Sequence, residues 1–143
     1  MKAVYVINGF LESGKTEFIT FTMQQPYFRS KGKTLLLLCE EGENEYDEEL
    51  LALTNTVVEV IESSEELSSS NLLTLEKKHK PERIIIEYNG MWPIQHFYDN
   101  MPENWVPYQS MLFFDANTFI TYNANMRSLV VDKLQDADVV VFN

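Results

Sequence analysis

The chain has 143 residues, 45% of them apolar and 13% aromatic, which is enough for one domain with a real core. Its formal charge is −11, from 22 acidic against 11 basic residues, and this argues against nucleic acid or an anionic membrane as a partner. The only cysteine is Cys39, so no intrachain disulfide is expected and a reducing cytoplasm fits best; no apolar run approaches membrane-spanning length, and the first strand starts too early for a signal peptide.

Residues 1–8 carry the apolar run Val4-Tyr5-Val6-Ile7 and read as the first strand. Gly9-Phe10-Leu11-Glu12-Ser13-Gly14-Lys15-Thr16 comes next. It has the spacing G-x-x-x-x-G-K-T of a phosphate-binding loop, with a buried strand before it and a helix over residues 15–25 after it. The chemistry asks for these residue types. Gly9 and Gly14 let the backbone curl so that successive N–H groups face inward, with no Cβ in the way of a phosphate. The helix start adds its dipole. Lys15 can reach β- and γ-phosphate oxygens, and the Thr16 hydroxyl can sit on Mg²⁺.

Residues 30–33 form a turn, and residues 34–39 form a second strand whose unbroken leucines suggest burial on both faces. From Glu40 to Glu49 there are seven carboxylates. One reading is a solvated loop leading into a helix near residues 47–53, whose acidic first turn suits its dipole; the other is a cation-sensing switch loop beside the phosphates. Residues 57–61 read as a short strand. Residues 63–80 read as one polar-faced helix with Leu67, Leu72, Leu73 and Leu75 inward, stopped by Pro81. Residues 83–87 form another buried strand, which runs into Glu87-Tyr88-Asn89-Gly90. Residues 91–109 hold three prolines and one short helix near residues 94–100. Residues 111–115 are a strand, residues 125–135 a helix and residues 138–143 the last strand.

Strands that alternate with helices predict a three-layer α/β P-loop NTPase domain, a mainly parallel sheet flanked by helices. Ligands in such sheets bind at the carboxyl ends of the strands. Gly9, residues 39–42, residues 87–90, Asp115 and Asn143 all fall at strand ends. Taken singly, Glu87 is either a surface residue at a strand end or a switch residue, and Cys39 either a small core hydrophobe or a ligand. His79 and His96 have no ligand-spaced partner and read as surface residues. Trp92 and Trp105 read as packing or partner contacts.

With these strand ends aligned, the chain resembles the CobW-like GTPases, the CobW/HypB/UreG family of P-loop proteins. Gly-Phe-Leu-x-x-Gly-Lys-Thr is close to that family's opening. Cys39-Glu40-Glu41-Gly42-Glu43 with Asp47 beyond it is similar to its first switch, and Glu87-x-x-Gly90 to its Glu-x-x-Gly. Phe114-Asp115-Ala116 and residues 137–143 are similar to its later strands, so the resemblance spans the chain. It implies Mg²⁺-dependent binding and hydrolysis of a nucleoside triphosphate, GTP above all, in a role tied to metal or cofactor delivery and a metalloprotein client. The implied nucleotide-binding residues are Gly9, Glu12, Ser13, Gly14, Lys15, Thr16, Glu17, Gly90 and Asn143. Lys15 and Glu87 are the implied catalytic residues. Thr16 and Glu87 would serve Mg²⁺, and Glu40 and Glu43 would serve it or a second, weakly bound divalent metal.

The chain departs from the family pattern at four places. Glu12 stands where the loop residue is usually glycine, and Glu17 replaces a second threonine. The family's Cys-x-Cys-Cys metal motif is replaced by Val57-Val58-Glu59-Val60 and the residues around it. The Asn-Lys-x-Asp guanine motif would begin at Asn143, so the sequence reads as a domain cut short at its C-terminal end, without the family's C-terminal domain, and GTP against ATP stays open. Glu12, Glu17 and that missing motif favour a second reading, a non-hydrolysing nucleotide-binding regulatory or interaction module. A purely acidic metal-binding module is a third, but it has no need of an intact Gly-Lys-Thr.

Overall fold

A computed structural model of the chain describes residues 1–9, 14–29, 32–39, 45–115 and 127–142. In chain order the elements are β1 (Lys2–Gly9), α1 (Lys15–Met23), a 3-10 turn (Pro26–Arg29), β2 (Thr34–Leu38), α2 (Glu48–Leu53), β3 (Thr56–Val60), a second 3-10 turn (Ser64–Glu66), α3 (Ser69–His79), β4 (Arg83–Glu87), α4 (Ile94–Asn100), β5 (Trp105–Phe114), α5 (Arg127–Asp136) and β6 (Val139–Phe142). Among the described residues the strands form one all-parallel sheet of six, ordered β3-β2-β4-β1-β5-β6.

The central strands are apolar because both of their faces are covered. Their side chains alternate between two cores. Val4 and Val6, Leu35 and Leu37, and Ile84 and Ile86 pack with Leu67, Leu72, Ile94 and Phe97. Ile7, Leu36, Ile85 and Phe113 pack on the other face with Ile19, Met23, Phe28 and Leu50. Each such fully buried side chain contributes about 1.5–3 kcal/mol of hydrophobic stabilisation. The architecture is the expected three-layer α/β sandwich.

Two elements differ from the expectation. The helix expected over residues 63–80 is split. Ser63 caps the 3-10 turn in a capping box with Glu66, and Ser68 caps α3 by accepting from Asn71 N at 3.2 Å. A serine hydroxyl favours a cap over a helix interior, and two caps five residues apart make two starts. Leu67, between them, leaves helical geometry and is fully buried.

The strand expected at residues 111–115 begins earlier, at Trp105, and runs through Pro107. Val4 is in register with Pro107 and Tyr5 with Gln109, so the ladder shifts by one residue there. β6 covers only Met111–Phe114, so on that side the proline has no ladder to interrupt.

His79 and His96, expected at the surface, are partly buried and bonded. His79 Nε2 lies 2.6 Å from Glu59 Oε1, and His96 Nε2 lies 2.7 Å from the Ser64 carbonyl oxygen. Each ring ties a helix to the element beside it. Cys39 is buried in the first core and Trp105 packs there too. Among the described residues no helix is long and apolar enough to cross a membrane.

Candidate functional site

The site is assembled at the carboxyl ends of the middle strands. Ile7 of β1 and Leu38 of β2 both stand in register with Glu87, the last residue of β4. Tyr88 N donates to the Ile7 carbonyl at 2.8 Å, and Cys39 N donates to the Glu87 carbonyl at 3.0 Å. The three strands therefore end as one rim, and the segments that leave them start side by side.

Gly14 caps the start of α1 with φ +100°. That left-handed backbone suits glycine, and a Cβ there would cost about 1–2 kcal/mol. The turn makes Lys15 the first helical residue and sends its side chain back over the rim. Lys15 is only 3% exposed. Its Nζ donates to the Gly9 carbonyl at 2.6 Å and to the Tyr88 carbonyl at 3.0 Å. One side chain thus bridges the end of β1 and the segment after β4.

Glu87 is equally buried. A buried carboxylate needs donors to offset its desolvation. Thr16 Oγ1 donates to Oε1 at 2.7 Å, and the Tyr46 hydroxyl donates to Oε2 at 2.5 Å. Burial first, and then the negative charge of Glu87, push the Tyr46 hydroxyl well above its ordinary value of 10.0. It therefore keeps its proton and stays a donor. Tyr46 comes into reach because Asp47 caps α2, its side chain accepting from Glu49 N at 2.9 Å.

A second lysine lies beneath the same rim. Lys133 of α5 is 1% exposed. Its Nζ donates to Asn8 Oδ1 and to the Trp92 carbonyl, both at 3.1 Å, and sits 5.6 Å from the centre of the Tyr88 ring. Asn8 Oδ1 also accepts from Gly9 N at 2.8 Å. Asn8 thereby links Lys133 to the first residue of the glycine loop.

Of the residues singled out from sequence, the structure brings Gly9, Lys15, Thr16 and Glu87 into one hydrogen-bonded cluster, with Gly14 shaping the turn between them. Gly90 is buried in the turn after β4. Glu17 lies in the first turn of α1 and is exposed. Glu12, Ser13, Glu40, Glu43 and Asn143 lie outside the described residues. Asn8, Tyr46 and Lys133 were not anticipated. Tyr46 could have been noticed as the one aromatic side chain in an acidic run. Lys133 carries no local signal, because its burial depends on where α5 docks.

Chemically, the cluster offers a lysine able to meet an anion and a Thr–Glu oxygen pair that suits a hard cation. Among the described residues no three His, Cys, Asp or Glu side chains are grouped to hold a metal ion. The family model of the CobW/HypB/UreG nucleotide-binding domain matches residues 3–143. The chain belongs to that family. No curated protein matches it. Membership in the CobW/HypB/UreG family supports nucleotide binding, and in this CobW/HypB/UreG domain the described part of the glycine loop leads directly into the Lys15–Thr16–Glu87 cluster.

Proposed function

We propose that this CobW/HypB/UreG domain binds and hydrolyses a nucleoside triphosphate, GTP by family analogy, with Mg²⁺. The observation that carries the reading is the position of Lys15. A lysine at the first turn of a helix is ordinarily solvated. Here it is buried and bonded to the Gly9 carbonyl, and the next residue, Thr16, bonds Glu87. Lys15 would exchange the Gly9 and Tyr88 carbonyls for β- and γ-phosphate oxygens, and backbone amides of the loop would take others. Thr16 already directs its proton to Glu87, which leaves its lone pairs for a cation, so the oxygen donors present fit Mg²⁺. When bound, Mg²⁺ supplies charge neutralisation on the phosphate oxygens. Glu87 would orient the attacking water, with the Gly90 N–H toward the γ-phosphate. The water oxygen bonds to the γ-phosphorus and its proton passes to the departing phosphate, the bond to the β–γ bridging oxygen breaks, and nucleoside diphosphate and inorganic phosphate leave. Glu12, Ser13, Glu17 and Asn143 complete the proposed nucleotide contacts, with Glu40 and Glu43 as further metal ligands. By the same analogy the hydrolysis serves metal or cofactor delivery to a client protein.

The test is a titration with a fluorescent GTP analogue, with and without Mg²⁺, alongside an assay of phosphate release. Saturable, Mg²⁺-dependent binding that is lost in Lys15→Ala is expected. Equal affinity in Lys15→Ala would overturn the assignment.

One observation favours a second reading. Both oxygens of Glu87 already hold protein hydroxyls, which suits a site that binds nucleotide without turning it over. Tight Mg²⁺-dependent binding with no phosphate release would select that non-hydrolysing module.

A further inference from the structure

Two buried lysines make the same kind of bridge. Lys15 joins the Gly9 carbonyl to the Tyr88 carbonyl. Lys133 joins Asn8 Oδ1 to the Trp92 carbonyl. Each therefore ties the end of β1 to the segment that follows β4, one at its near end and one four residues further on. The nucleotide reading uses only the first. If Lys15 turns to a phosphate, its bridge to Tyr88 is lost; Tyr88 N still holds the Ile7 carbonyl at the near end, and Lys133 holds the far end at Trp92.

We propose that Lys133 is a positioning residue, the bridge that keeps the segment from Asn89 to Trp92 closed on β1 once Lys15 has let go. Three features support this. Lys133 stands on α5, which is independent of both segments it joins. Its depth excludes competing water, so its bonds are not exchanged cheaply for solvent. Its acceptor Asn8 also fixes Gly9 N, so the start of the glycine loop and the Trp92 carbonyl share one anchor. The part of the idea that concerns ligand rests on the proposed nucleotide reading. The bridge itself does not.

Trp92 reports on the segment directly. It is partly buried and meets the Tyr88 ring edge-on, 5.9 Å between centroids. The other tryptophan, Trp105, is 2% exposed and is shielded from a collisional quencher. Acrylamide quenching of the native chain, Lys15→Ala, Lys133→Gln and the double variant, with folding followed by circular dichroism, reads the bridge without any nucleotide. Glutamine can reach one of the two acceptors but not both, and it retains polarity where methionine would leave Asn8 unmet. The expected result is little change in Lys15→Ala and a rise in quenching of about twofold or more in the double variant, because segments with few remaining bonds open locally. Full opening in Lys15→Ala alone, or a double variant no more open than Lys15→Ala, would overturn the proposal.

Adding Mg²⁺ and GTP extends the test. Nucleotide should open the segment in Lys133→Gln and leave it closed in the native chain. Phosphate release by Lys133→Gln should fall about tenfold to a hundredfold in kcat with KM nearly constant, as for a group whose displacement misplaces others. Lys133→Arg, which keeps donors to both acceptors, should recover part of the loss. If the nucleotide-free variants behave as expected while GTP moves neither protein, the bridge stands and the nucleotide reading fails.

Discussion

At the scale of single residues, the polar cluster turns on how Glu87 is satisfied. Its two oxygens take two hydroxyls. In Glu87→Gln the amide NH₂ cannot accept, so either Thr16 or Tyr46 loses its acceptor. Phosphate release should then slow by about tenfold to a thousandfold, well beyond any change in nucleotide affinity; equal losses of both, measured by single-turnover assay and calorimetry, would mark Glu87 as structural. Tyr46 gives a pH signature. Its folded-state value lies above its ordinary 10.0, so above about pH 10 the unfolded chain sheds a proton that the folded chain retains. Stability supplied by this hydroxyl is complete below that pH and drains away as pH rises. Urea unfolding at about pH 9 and about pH 10.5 should show a shallower alkaline loss in Tyr46→Phe than in the native chain. Lys15, Thr16 and Glu87 could be picked from the sequence because each sits in a motif whose spacing encodes its neighbours. Tyr46 and Lys133 could not. Tyr46 meets Glu87 across forty-one positions of chain and Lys133 meets Asn8 across one hundred and twenty-five, contacts that only the folded arrangement creates.

At the scale of elements, strands were easier to read than helices, and for a physical reason. A strand buried on both faces must be apolar throughout, and the runs at Leu35–Leu38 and Ile84–Ile86 have no other reading. The helix over residues 63–80 looked continuous because a serine that caps and a serine on a solvated face are the same letter. Ser68→Ala should cost about 1 kcal/mol in chemical denaturation by leaving the first turn of α3 without its acceptor, whereas Ser70→Ala should cost much less. The start of β5 was hidden by Pro107, a breaker in a central strand but tolerated where one side is unpaired. The other end of α3 is fastened to β3 through Glu59. The bond from His79, and then Lys78, hold its carboxyl below the usual 4.5. This stability is present above that value and is lost as pH falls through the folded one. Since Glu59 is partly solvated, its share should stay below about 1 kcal/mol, and Glu59→Gln should flatten the acid side of the stability profile by that amount.

At the scale of the whole molecule, the alternation of elements announced a parallel sheet, but nothing in the pattern announced its order. Local periodicity carries no information on which strand lies beside which. The order has β1 at the centre, between β4 and β5. Those partners begin at Arg83 and Trp105. Synthesis adds about 5–20 residues per second, so the strand made first waits on the order of ten seconds for a neighbour. During that interval Val4, Val6 and Ile7 are bare on the nascent chain, and the glycine loop has no rim to rest on. Ribosome-bound chains halted after residue 80 should therefore be cut readily by protease near the N-terminus. Chains halted far enough on to free Phe114 from the exit tunnel should resist the cut. A strand-central phosphate loop depends on partners made roughly eighty to one hundred residues later, and a slow codon run before Arg83 would prolong the period in which this apolar strand lies exposed.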